Sequence, residues 1–165
     1  MKNQLVAQIF RDIAKILEIK GENVFRIRAY ERAAQNIESL SENIEDFVKK
    51  DTLREIPGIG VDLEGRIKEI VETDKLKFLN QLKKTIPEGL LELLNIPSVG
   101  PKTAKLLYEK LKIKNIADLE KAIKQNKLIG LFGIKEKTIE NISRGIELLK
   151  RAKARMSLPV AVQAA

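Results

Sequence analysis

The chain has 165 residues, of which 44% are hydrophobic and 33% charged, so it contains enough apolar material to bury a core. It has no Cys and no His, which excludes disulfides, Cys/His zinc sites and histidine acid–base catalysis. The formal net charge is +8, and no run of about 18 apolar residues, the length that spans a membrane, occurs in the sequence.

Positive charge is concentrated in the C-terminal part of the chain. Residues 96–165 carry fifteen basic and six acidic side chains, whereas residues 1–50 carry nine and eight, and residues 51–95 carry seven and nine. Such a basic segment favours a polyanionic partner, above all nucleic acid. A solvated lysine-rich surface without a partner is the alternative interpretation.

The spacing of apolar residues predicts helices. Residues 3–19 form one helical pattern, and Gly21 follows it as a C-terminal signal. A second helix is predicted over residues 24–37, and a third is predicted after Ser41, which is interpreted as its N-cap. No stretch alternates with period two, and Asn-Gly and Asp-Gly hairpin signals are absent, so no sheet is expected.

One sequence pattern occurs three times. Residues 53–60 read LREIPGIG and precede a helical stretch through residue 71, and residues 93–100 read LLNIPSVG and precede one through residue 111. A weaker copy at residues 131–135 precedes a helical stretch over 136–149. Because proline ends the preceding helix and glycine permits a tight turn, each copy predicts two short helices joined by a hairpin.

Each hairpin is a candidate phosphate site. Free amides at the start of a helix form an anion site, and small residues let a phosphate approach the backbone. Such contacts bind DNA without reading its sequence. A turn used only for packing, or for binding another protein, is the alternative. The predicted contact residues are Gly58, Gly60, Ser98, Gly100, Lys102, Thr103, Lys105, Lys135 and Lys137.

Three stretches make a family resemblance specific. Residues 25–34 read FRIRAYERAA, residues 53–73 contain the first hairpin and its helix, and residues 96–104 read IPSVGPKTA. Over nearly the whole chain, the sequence resembles the N-terminal region of bacterial and archaeal family X DNA polymerases, and residues 144–156 resemble the junction before that family's palm domain.

The resemblance implies a lyase-type domain followed by a second helix-hairpin-helix region, which together bind gapped DNA on either side of the gap. It implies a 5′-phosphate pocket containing Arg26, Tyr30 and Arg54, with Arg28 as a further DNA contact. No cofactor is required, but a potassium or sodium ion on hairpin carbonyls is implied. Those carbonyls belong to Arg54, Ile56, Ile59, Leu94, Ile96 and Val99.

The chain departs from the family at the lyase centre. Members that remove a deoxyribose phosphate use a lysine nucleophile where this chain has Arg66, and arginine cannot supply a free amine. Lys68 lies about 200° further around the helix, and two other basic positions of the pocket hold Asp62 and Phe78. We therefore expect weak or absent lyase activity, although a lyase that uses another lysine is the enzymatic alternative.

These observations predict an all-α fold with tandem helix-hairpin-helix motifs in two subdomains, residues 1–86 and 87–156, and a tail over residues 157–165. The expected function is DNA binding at gaps or nicks, as the DNA-binding portion of a family X polymerase in base excision repair. Polymerase activity is not expected from this chain alone, because the palm aspartates are missing. We expect a monomer in the cytoplasm, associated with the nucleoid and not with a membrane.

Overall fold

The architecture is all-α in the computed structural model, which describes residues 1–131 and 133–164, with side chains through Arg155. No β-strand occurs in this described part, so the predicted fold class is confirmed. The helices are α1 Asn3–Ile19, α2 Val24–Glu38, α3 Ile44–Lys49, a 3-10 helix Leu53–Glu55, α4 Val61–Thr73, α5 Lys77–Lys83, α6 Glu88–Leu93, α7 Pro101–Leu111, α8 Ile116–Lys124 and α9 Glu136–Ala164.

The chain divides into two compact units. Unit 1 is Met1–Ile86 and unit 2 is Pro87–Ala165. The predicted tail, residues 157–165, lies where side chains are outside the described part, and Ala165 is outside it altogether. Among the described residues, no helix combines the length and the apolar character needed to cross a membrane.

The core of unit 1 lies between α1 and α2. The apolar stripe of α1 is buried, and Phe10 packs edge-on against Tyr30 of α2, with ring centroids 5.5 Å apart and an interplanar angle of 77°. Ile27, Ala33 and Ala34 bury the rest of the inner face of α2. Because these residues recur at helical spacing, the opposite face of α2, which carries its arginines, faces solvent.

A buried asparagine connects α1 to the start of α3. Asn3 is only 2% exposed, its Oδ1 accepts from the Ile44 amide at 2.8 Å, and its Nδ2 donates to the Glu42 carbonyl at 2.8 Å. The predicted N-cap role of Ser41 is wrong, because α3 begins at Ile44 with Asn43 in the cap position. The first amide of α3 is satisfied by Asn3, forty-one residues away in sequence.

Two helical glycines of unit 2 lie in close contact with backbone outside the helices. A Cβ added at Gly145 of α9 would lie 2.3 Å from the carbonyl oxygen of Pro97, and one added at Gly89 of α6 would lie 2.3 Å from that of Lys114. Either position therefore excludes any side chain unless the backbone moves. As a result, α9 packs directly on the second hairpin.

Candidate nucleic-acid interface

Hairpin one, residues 56–60, is a type II turn. The Ile59 amide donates to the Ile56 carbonyl at 3.1 Å, and Gly58 has a φ of +86°. Proline in the second position and glycine in the third are the residues that this turn favours. The Nδ2 of Asn36 in α2 donates to the Pro57 carbonyl at 2.7 Å, and this hydrogen bond holds the turn against α2.

Hairpins two and three, residues 96–100 and 131–135, repeat this geometry. In hairpin two the Val99 amide donates to the Ile96 carbonyl at 3.0 Å, and Ser98 has a φ of +82°. In hairpin three the Ile134 amide donates to the Leu131 carbonyl at 3.1 Å, and Gly133 has a φ of +85°. Phe132, in the second position of hairpin three, lies outside the described residues.

The last glycine of hairpins one and two faces open space. Gly60 and Gly100 are the N-caps of α4 and α7, and neither helix start has a side-chain cap. Their φ values of −100° and −98° suit any residue, and an added Cβ would meet no atom within 4 Å. Within the part of the chain that the structure describes, neither backbone conformation nor packing therefore requires glycine, and the backbone at both helix starts is open to approach from outside.

Cationic side chains surround two of the hairpins. After hairpin two, Lys102 is exposed and Lys105 is half-buried, and the first turn of α7 has no acidic residue. At hairpin three, Lys135 and Lys137 are exposed, with Glu136 between them. The structure thus brings these predicted lysines to helix starts, where free amides favour an anion.

Ser98 is in a backbone region that normally favours glycine. Its φ of +82° strains a side-chain-bearing residue, whereas glycine adopts it freely. We expect Ser98→Gly to raise the free energy of unfolding by about 1 kcal/mol in urea denaturation. The reverse change at the equivalent position of unit 1, Gly58→Ser, is the matched control and will lower it. Unchanged stability in both variants would contradict this interpretation of the turn.

Two arginines and two aromatic residues form a cluster in unit 1. The Arg66 guanidinium lies 3.8 Å from the centroid of the Phe78 ring, and that of Arg26 lies 5.6 Å from it. The Nε of Arg66 is buried without a hydrogen-bond partner. Phe78 thus occupies a pocket position where the family resemblance implies a basic residue. Its ring holds the Arg26 and Arg66 guanidinium groups by cation–π contact.

Tyr30 lies at the base of this arginine cluster. Its side chain is only 4% exposed, and burial raises the pKa of its hydroxyl, although the nearby Arg66 and Arg26 act in the opposite direction. The phenol is therefore protonated at neutral pH and keeps its ability to donate a hydrogen bond.

The other predicted residues of unit 1 lie in different surroundings. Arg54 is 62% exposed and its Nε lies 3.5 Å from the Glu64 carboxylate, while Arg28 is exposed on α2. Lys68 Nζ lies 3.5 Å from Asp51 Oδ1.

The sequence interpretation did not predict the exposure of Phe25, which is 77% exposed immediately before Arg26. The signal that could have identified it is its place on α2 outside the apolar stripe of Ile27 and Tyr30.

Several carbonyl oxygens at the hairpins accept at most one of the backbone hydrogen bonds outside the helices. The Ile56 and Ile96 oxygens each accept one amide, and within the described residues the Ile59 and Val99 oxygens accept no backbone hydrogen bond outside the helices. These groups fit a hard monovalent ion, which takes oxygen ligands. Among the described side chains, no group of three or more acidic residues could hold a metal ion.

Comparison with known families assigns both units. The helix-hairpin-helix domain family matches residues 1–76, and the SAM-like helix-hairpin-helix tandem family matches residues 90–147. The first match contains hairpin one, and the second contains hairpins two and three.

Individual relatives are DNA-processing enzymes. The chain is 31% identical to DNA polymerase/3′-5′ exonuclease PolX of Bacillus subtilis over 146 residues, which are 88% of this chain and 25% of that protein. It is 34% identical to DNA polymerase lambda of Arabidopsis thaliana over 66% of this chain and 20% of that protein. A DNA ligase of Clostridium botulinum is 30% identical over 59% of this chain and 18% of the ligase. The chain thus spans at most a quarter of the length of these relatives.

Proposed function

Because this chain is a tandem helix-hairpin-helix protein that matches the N-terminal region of a family X DNA polymerase, we propose that it binds DNA through the phosphate backbone at gaps or nicks. The proposed role is binding without sequence specificity, as the DNA-binding portion of a repair polymerase. The proposal also includes a monomer in the cytoplasm, associated with the nucleoid.

The observation that carries this proposal is the open backbone at Gly60 and Gly100. Both glycines precede a helix whose first amides lack a side-chain cap, and a Cβ added at either would meet no atom within 4 Å among the described residues. A phosphate oxygen is the ligand that suits an uncapped helix start. The excess of positive charge in residues 96–165 supports a polyanion at unit 2, which contains Gly100.

Preference for a gap is supported by the arginine cluster of unit 1. Arg26, Arg66 and the protonated Tyr30 hydroxyl supply hydrogen-bond donors. A terminal 5′-phosphate carries more charge than an internal phosphodiester and fits such a group. The proposal contains no lyase step, because the amine such a step needs is replaced by Arg66 and Lys68 lies beside Asp51.

A monovalent cation at the hairpins is part of the same proposal. Carbonyls of Ile56, Ile59, Ile96 and Val99 would hold it, and it would contribute positive charge next to a bound phosphate. The carbonyls of Arg54 and Leu94 complete the proposed sets of ligands.

The proposal is tested by fluorescence anisotropy with three labelled DNAs. These are an intact duplex, a one-nucleotide gapped duplex with a 5′-phosphate, and the same gap without that phosphate. We expect the phosphorylated gap to bind most tightly, and affinity for all three to fall steeply as KCl is raised. Replacing KCl by LiCl at equal ionic strength will weaken binding if the carbonyl sites hold potassium.

Two outcomes would overturn parts of this proposal. Equal affinity for all three DNAs would remove gap recognition and leave only backbone binding. Absence of binding to every DNA at low salt would remove the proposed function and favour a protein-interaction module instead.

A further inference from the structure

Hairpins one and two have the same turn geometry but opposite charges in the helix that follows. When Gly60 is aligned with Gly100, Asp62 takes the place of Lys102. The first turn of α4 contains acidic residues, whereas that of α7 contains none. Geometry alone therefore makes the two turns equivalent phosphate sites, and charge makes them different.

Glu64 adds a second negative charge at hairpin one. It takes the place of the fully buried Ala104 of unit 2, and its side chain is only 12% exposed. Its carboxylate lies 3.5 Å from the Nε of Arg54, a predicted phosphate contact. A phosphate at hairpin one would therefore meet two carboxylates and an arginine that is already paired.

This repulsion acts at short range. One helical turn is about 5.4 Å long, which is shorter than the Debye length of about 8 Å at physiological salt. Salt therefore screens only part of the repulsion between the Asp62 and Glu64 carboxylates and an anion held on the first amides of α4. The Arg26 and Arg66 guanidinium groups are held by the Phe78 ring, and Asp62 is close enough to this cluster to act on the Tyr30 hydroxyl together with them.

We propose that Asp62 and Glu64 are specificity-determining residues that weaken hairpin one for the phosphates of continuous duplex DNA. Unit 2, through Lys102 and Lys105, then supplies most of the affinity for an intact duplex, and unit 1 contributes mainly where a terminal phosphate reaches the arginine cluster. This inference rests on the proposed DNA-binding function. It adds that the Asp62 and Glu64 carboxylates of unit 1 repel the phosphates of continuous duplex DNA.

The test compares Glu64→Gln and Asp62→Asn with Glu72→Gln. Glutamine preserves the shape of the mostly buried Glu64, and Asp62 is exposed, so neither change removes core packing. Glu72 is exposed on the same helix, eight residues or about 12 Å beyond Glu64, and is the matched control. Affinities for intact and 5′-phosphorylated gapped duplexes are measured by anisotropy at several KCl concentrations.

We expect Glu64→Gln and Asp62→Asn each to raise the affinity for intact duplex three- to tenfold, on the order of one removed like-charge contact. Preference for the gap will fall accordingly. In Glu64→Gln the salt dependence of intact-duplex binding will also steepen, because this change frees Arg54. Glu72→Gln will leave all three quantities nearly unchanged.

Two results would overturn the inference while leaving the proposed function intact. If the wild-type protein binds DNA and the two variants behave like Glu72→Gln, Asp62 and Glu64 do not set selectivity. If Glu64→Gln weakens binding, the carboxylate positions Arg54 for a phosphate instead of sequestering it. Lack of DNA binding by the wild-type protein would instead remove the proposed function itself.

Discussion

Replacing both Lys102 and Lys105 with glutamate will lower the affinity for intact duplex DNA roughly 100-fold at low salt, because each lysine is expected to contribute about tenfold through a charged contact to phosphate. Both residues lie in the first turns of α7, beside the open backbone of Gly100. The slope of affinity against salt will also become shallower by about two, one for each lost phosphate contact. Anisotropy titrations at four KCl concentrations measure both quantities.

Loss of folding cannot explain such a result. Glutamate near a helix N-terminus is favourable, so the double variant should be as stable as the wild-type protein by thermal melting. The control is Lys114→Glu with Lys127→Glu, which changes the net charge equally at two exposed loop positions of unit 2. Equal loss of affinity in both double variants would show that net charge, and not the hairpin, governs binding.

The sequence predicted the hairpins because their geometry is local. Gly58 has the positive φ that a type II turn requires, and Pro57 and Pro97 occupy the position that proline favours. Helices α1 and α2 were predicted to within one residue, since their apolar residues recur with helical spacing and both helices bury one face.

What the sequence could not predict depends on contacts between distant residues. Ser41 looks like an N-cap, but the acceptor for the first amide of α3 comes from Asn3. The contact between Arg66 and Phe78 joins α4 to α5, which the apolar pattern did not identify. Periodicity specifies which face of a helix is buried, but it does not specify which side chain of another helix it meets.

The glycines illustrate the difference between features that local sequence predicts and features that depend on contacts between distant residues. The sequence suggests one shared role for the hairpin glycines Gly58 and Gly60, whereas the structure separates their roles from each other and from that of Gly145. Gly58 is required by a positive φ, Gly60 leaves the helix amides open to an external ligand, and Gly145 permits contact between α9 and the second hairpin. The first role can be predicted from a turn motif, but the third appears only when residues 48 positions apart are brought together.

The contact at Gly145 gives the second large expected effect. We expect Gly145→Ala to destabilise unit 2 by about 2–3 kcal/mol, because the added methyl overpacks the core. It would lie 2.3 Å from the Pro97 carbonyl oxygen and 2.8 Å from Ile96 Cγ2, and the backbone atom cannot turn away as a side chain could. The same displacement would disturb hairpin two, so DNA affinity should fall together with the urea midpoint of unfolding.

Gly65→Ala is the matched control, with an effect of opposite sign. Gly65 is an exposed residue in α4, and a Cβ there meets no atom within 4 Å. Alanine in a helix interior is more stable than glycine by roughly 0.5–1 kcal/mol, so this variant should be more stable than the wild-type protein. If Gly145→Ala were equally stabilising, helix propensity would dominate at both sites, and α9 would not need glycine to support the second hairpin.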